Sequence, residues 1–183
     1  MLLSIIVLAV TVVAIAVNKG VKGIENKEVK FVYLIFLGFL IQIVIFNENF
    51  ARSSLSSITP ILYIVSLFIL LAFVITNARR YFGMKIAFVG SILNLIVIVA
   101  NGGYMPQDID KLYLAGLKGK VELLQESGKF YNAVIMSKDT HLNFLGDIIA
   151  IPQLKPIASV YSVGDVFLVL GICVFIFEFF KKE

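Results

Sequence analysis

The sequence predicts an all-α membrane protein with five transmembrane helices and one long outer loop. Three observations carry this. Of the 183 residues 60% are hydrophobic and 15% charged, with a mean hydropathy of +0.97; a soluble domain has roughly 45–50% apolar and 25% charged residues. The excess is gathered into long runs at about 2–17, 29–46, 58–77, 84–100 and 163–180. The runs lack alternation, and only helices or closed barrels satisfy their backbone in lipid.

Each run fits a span. Roughly 16–20 residues cover ~24–30 Å as α-helix, close to the ~30 Å of hydrocarbon. Breakers mark the boundaries. Thr59-Pro60 offers an N-cap and a proline at the first helical position. Asn18-Lys19-Gly20 and Gly83 read as helix exits. The first run resembles a signal peptide, with Ala14-Ile15-Ala16 as a cleavage site. Its lysines, at 19, 22, 27 and 30, follow the apolar run, the reverse of a secretory signal. It is read as a retained helix.

Short-loop charge sets the orientation. Lys19, Lys22, Lys27 and Lys30 follow the first run, Arg79, Arg80 and Lys85 separate the third and fourth, and Lys181 and Lys182 end the chain. Loop 47–57 holds only Arg52. The positive-inside rule then puts the N-terminus outside, the C-terminus in the cytoplasm and segment 101–162 outside. In that segment Ile109, Leu112, Tyr113, Leu117, Val121 and Leu124 form one apolar helical face, interrupted by Gly116 and Gly119. Such a face suits a surface helix lying on the bundle or on lipid. Two β-like runs follow, 130–136 and 142–151. The whole chain, 1–183, reads as one membrane domain.

Several chemistries find no support. The net charge of +4 is scattered, so no nucleic-acid surface is expected. One cysteine, Cys173, and one histidine, His141, cannot build a metal cluster, and neither metal nor cofactor is expected. His141 reads as an exposed loop residue. Nucleophile and phosphate-loop motifs are missing.

Polar residues near the spans narrow the choice. Gln42 suits an interhelical hydrogen bond, and Glu178 an ion pair with Lys181 and Lys182 three and four residues on. Ser91, Asn94 and Asn101 share one helical face within ~60°. They point either to small-polar packing or to a ligand-binding pocket at the outer face. Asn101-Gly102-Gly103 supplies an exit turn. Ser162-Val163-Gly164-Asp165 matches a capping box opening the last helix. Asp147 has no such account. It sits in an apolar, extended stretch, where burial without a partner would raise its pKa.

Together, Asn101-Gly-Gly-x-Met105-Pro106, Leu145-Gly-Asp147, Ser162-Val-Gly-Asp165 and the Leu-Asn94-Leu run resemble a bacterial membrane family, domain of unknown function 5317. That resemblance implies a multi-pass protein of the bacterial cell membrane and no particular activity. A partial resemblance to signal peptidase II lies in layout: a helix ending in a polar motif, an outer extended cradle, then an acid opening the last helix. Tyr161-Ser162-Val163-Gly164-Asp165 stands in the last position. That family's Asn-x-x-Asp motif departs here at Val97, so Asp108, Asp110 or Asp147 would have to serve from the loop.

Two functions follow as expectations. The first is a non-enzymatic protein of the lipid bilayer that binds a small or lipidic ligand, or a membrane-protein partner, through Ser91, Asn94 and Asn101. The second is an intramembrane aspartyl hydrolase using Asp147 and Asp165 as catalytic acids. A small transporter is disfavoured by the lack of repeats.

Overall fold

The computed structural model describes residues 2–17, 27–51, 53–151 and 159–181. In chain order the helices are α1 (Leu2–Val17), α2 (Tyr33–Ile45), α3 (Glu48–Ala51), α4 (Thr59–Ala78), α5 (Phe82–Ala100), α6 (Ile109–Leu114), α7 (Lys118–Ser127) and α8 (Val163–Phe180). The strands are β1 (Met105–Gln107), β2 (Lys129–Phe130), β3 (Ala133–Ile135), β4 (Ile149–Ile151) and β5 (Ser159–Tyr161). Helices α2, α4, α5, α8 and α1 pack in that spatial order.

Three helical segments are long and apolar enough to cross a membrane: Ser54–Ala78, Phe82–Ala100 and Val163–Phe180. The first joins a 3-10 turn (Ser54–Ile58) to α4. The five spans expected from sequence therefore reduce to three of full length. Helix α1 has 16 residues and α2 has 13. The run at 29–46 is shortened at its start by Asn77, which is fully buried. Its Nδ2 donates to Lys30 O (3.0 Å) and its Oδ1 accepts from Lys30 N (2.9 Å). Those bonds take the backbone groups a helix would need, and Phe31 turns through a φ of 54°. The start of α4 also differs from expectation. Ile58 occupies the cap position without a side-chain bond, and Thr59 and Pro60 already lie inside the helix. The exit expected at 18–20 lies outside the described residues.

Helices α5 and α8 run antiparallel along a seam of small residues. A Cβ on Gly83 would lie 2.2 Å from Phe175 N, and one on Gly90 2.4 Å from Gly164 O. Gly83 is thus a packing residue in the first turn of α5, not the helix exit that its position suggested. Small residues let backbones approach where dispersion, rather than water exclusion, drives association.

At the far end of this seam Glu178 has an unexpected role. Tyr81 offers no side-chain cap to α5. The Glu178 carboxylate accepts from Phe82 N (2.9 Å) and Gly83 N (2.8 Å) instead. A carboxylate at bare helix N–H groups satisfies donors and favours the positive end of the helix. Among the described residues the expected ion pair with Lys181 is not made, since two fixed N–H groups cost less side-chain entropy than a mobile ammonium; Lys182 lies outside the described residues. Glu178→Ala is expected to lower stability in detergent by about 0.5–2 kcal/mol, the range of a lost cap. Lys181→Ala should leave it unchanged. Equal losses in the two variants would return Glu178 to the lysine pairing.

The outer segment carries its own small core of Leu112, Ala115, Val121, Leu124, Ala133 and Val160. The expected single amphipathic helix is two, because Gly116 turns at a φ of 77°. Its apolar face packs onto strands of the segment instead of lying on the spans. Strands β1 and β3 pair in parallel and β3 and β2 antiparallel, while β4 and β5 form a separate antiparallel pair. The short β-like segments expected in the outer loop are thus small sheets, in a chain that is otherwise mostly α. The β-like run at 142–151 is strand only at its end, since Leu142 takes a φ of 55° and Asn143–Leu145 forms a 3-10 turn.

Candidate functional site

Strand β1 and residue Asp147 bring the outer segment to the end of the bundle. Asp147 N donates to Pro106 O (2.9 Å), and Asp108 N donates to Asp147 O (3.2 Å). This short parallel bridge pairs Gln107 with Asp147 and joins the two sheets. It also fixes the Asp147 side chain inside, 7% exposed. Gln107, equally buried, donates from Nε2 to Asp147 Oδ2 (2.5 Å).

The expected capping box is present. Ser162 Oγ accepts from Asp165 N (2.9 Å), and Asp165 Oδ2 accepts from Ser162 N (3.1 Å). Asn94 reaches the box from α5. Its Nδ2 donates to Asp165 Oδ1 (2.8 Å), and its Oδ1 accepts from Ser162 Oγ (2.8 Å). Three residues close one network of four hydrogen bonds between α5 and the start of α8. Gly164 permits it, since a Cβ there would stand 2.0 Å from Asn94 Oδ1.

The two acids feel each other. Burial, and then the charge of Asp165, push the Asp147 carboxyl up to about 7; the Gln107 hydrogen bond and the Lys120 ammonium oppose that rise. Lys120 on α7 is itself lowered by burial, against the pull of Asp147. The Gln107 amide suits both protonation states of its partner. Nε2 donates to a carboxylate, and Oε1, turned round, would accept from a carboxylic acid. Among the described residues Gln107 Oε1 and the Tyr161 hydroxyl are buried without a hydrogen-bond partner. On the α4 side the Tyr63 hydroxyl accepts from Asn132 Nδ2 (3.2 Å).

A family of unknown function, DUF5317, has a model that matches residues 26–177. The chain belongs to that family. No curated protein and no solved structure matches it.

In this DUF5317 member the expected polar stripe of α5 divides. Asn94 joins Asp165 and Ser162. Ser91 Oγ donates back to Ala87 O (2.9 Å). Asn101 turns to the outer segment, where its Nδ2 donates to His141 O (2.9 Å) and its Oδ1 accepts from His141 N (2.8 Å). His141 is exposed, as expected, and serves through its backbone. Gln42 makes the expected interhelical bond, to Ser66 Oγ (3.0 Å). Among the described residues no cluster of three or more metal-ligating side chains occurs. Sequence reasoning missed Gln107, Lys120, Tyr63 and Asn132. The pairing of β1 brings Gln107, and the docking of α7 brings Lys120, to Asp147, and neither leaves a local motif.

Proposed function

We propose that this chain is a multi-pass membrane protein whose outer end carries a proton-sharing acid pair, and that the pair hydrolyses a membrane-embedded substrate. One observation carries the reading: Asp147 is buried beside the charge of Asp165 and holds its proton up to about pH 7. Near neutral pH Asp147 is then available as a proton donor, the acid half of what a carboxylate dyad needs. Helices α1 and α2, about 24 and 20 Å long at 1.5 Å per residue, complete a five-helix bundle in a bacterial cell membrane. The lysine-rich short loops support an outer position for the site.

In this mechanism Asp165 takes a proton from water, and the water oxygen bonds to the substrate's carbonyl carbon. Asp147 gives its proton to the carbonyl oxygen. When the adduct collapses the carbon–nitrogen bond breaks. The amine leaves with the proton held by Asp165, and the oxygen's proton returns to Asp147. Gln107 positions Asp147, and Asn94 and Ser162 position Asp165.

The test has two parts. With carboxyl-labelled aspartate in detergent, NMR should show one aspartate titrating near pH 7. Asp165→Asn should lower that value, while burial keeps it above the ordinary range. Incubation with a synthetic lipid-modified membrane peptide should give cleavage that Asp147→Asn and Asp165→Asn each reduce by roughly 10²–10⁴-fold. Cleavage retained in either variant, or no aspartate titrating above the ordinary range, would remove the reading.

A second reading rests on the bonds of Asp165. Both of its oxygens are already engaged, by Asn94 and by Ser162. If that engagement is its whole role, Asp165→Asn is mild, because asparagine caps as well as aspartate. The outer face then serves binding of a small or lipidic ligand or a membrane-protein partner, with Ser91, Asn94 and Asn101 as the polar stripe beneath it.

A further inference from the structure

On the same end of the bundle lies a cavity of about 180 Å³ lined by Ile45, Ser56, Thr59, Tyr104, Lys129 and Tyr131. Its lining is that of an anion site. The Lys129 ammonium stands 4.2 Å from the centre of the Tyr104 ring. Among the described residues the one ion pair is Arg80–Glu28, so Lys129 is in no ion pair among them. Among those residues, too, the hydroxyls of Ser56, Thr59, Tyr104 and Tyr131 make no hydrogen bond. One lysine and four hydroxyl-bearing side chains therefore line one small space. Such a set suits phosphate oxygens, which accept from hydroxyls and take lysine as a point charge.

Size and position select the source of the phosphate. Drug-sized ligands fill roughly 300–1,000 Å³, so this cavity admits a headgroup and not a whole amphiphile. Ile45 ends α2 and Thr59 begins α4, which places the cavity at the end of the spans, where tyrosines sit at headgroup level. Around it Ile43, Val44, Leu55 and Ile58 are exposed, an apolar surface along which acyl chains can lie. We propose that the cavity binds the phosphate of an anionic phospholipid, with Lys129 as its charge and the four hydroxyls as its donors. This site stands apart from the acid pair and does not depend on hydrolysis.

Native mass spectrometry of the detergent-purified chain tests it with phosphatidylglycerol, phosphatidylcholine and inorganic phosphate as probes. Phosphatidylglycerol should be retained in preference to phosphatidylcholine. Lys129→Gln should weaken retention roughly tenfold, the scale of one charged hydrogen bond. Lys129→Arg should keep it, and so should Lys138→Gln, a charge change elsewhere on the outer segment. Ser56→Ala with Thr59→Ala should weaken it several-fold. Asp147→Asn should not change it, which separates this site from the acids. Unchanged retention in Lys129→Gln, or an equal loss in Lys138→Gln, overturns the proposal. Displacement of phosphatidylglycerol by an equal concentration of inorganic phosphate overturns the lipid source and assigns the cavity to the free anion.

Discussion

Gly171→Ala is expected to separate α5 from α8 and leave little folded protein. The added Cβ would lie 2.3 Å from Ala87 N and 2.6 Å from Gly83 O. Both are backbone atoms, so no side chain can move aside, and the whole seam must open. Overpacking of a flexible core costs about 1–3 kcal/mol. A rigid backbone contact sits at or beyond the top of that range. Gly119→Ala is the matched control. Nothing stands within 4 Å of its Cβ, and replacing a helical glycine there should stabilise by about 0.5–1 kcal/mol. Thermal unfolding in one detergent measures both. If Gly171→Ala melts with the wild type, the tight seam is not what holds the spans.

The second large effect is a change in how stability depends on pH. Asp147 titrates at about 7 when folded, above its ordinary value of 3.8. The folded chain therefore holds a proton that the unfolded chain gives up between those values. Stability should fall as pH rises from about 4 to about 7, and flatten above that as far as this group is concerned. The difference of about three pH units corresponds to about 4 kcal/mol at most, at 1.36 kcal/mol per unit. Asp147→Asn removes the titration and keeps an oxygen for Gln107. The variant should match the wild type near pH 4 and exceed it above pH 7, as read by unfolding midpoints across that range. A constant difference at every pH would mean that Asp147 carries no displaced proton.

How much of this was legible in the sequence depends on how local each feature is. The apolar runs at 58–77, 84–100 and 163–180 announce themselves by length, and the capping box of Ser162 and Asp165 by spacing. The shortening of the second run was hidden, because Asn77 takes up the Lys30 backbone from 47 positions away. The role of Glu178 was hidden for the same reason. Its lysine neighbours in sequence were visible, and the bare N–H groups of Phe82 and Gly83, 96 and 95 positions distant, were not. Asp147 could be singled out as an acid in an apolar stretch. Its partners come from β1 and α7, and pairing between short strands leaves too little pattern to read.

Helix α8 also sets an order on biosynthesis. It carries what α5 needs at both ends, Ser162 and Asp165 for Asn94, and Glu178 for the first N–H groups of α5. The ribosome makes α5 first and α8 last. Throughout the synthesis of the outer segment, α5 must wait in the bilayer with an unpaired amide near one end and open donors at the other. Before that its helical neighbour is α4, which packs beside it and precedes it in the chain. Insertion and assembly are therefore two separate events here. A chain arrested before residue 163 can place its earlier helices yet leaves Asn94 without Asp165 and the first N–H groups of α5 without Glu178.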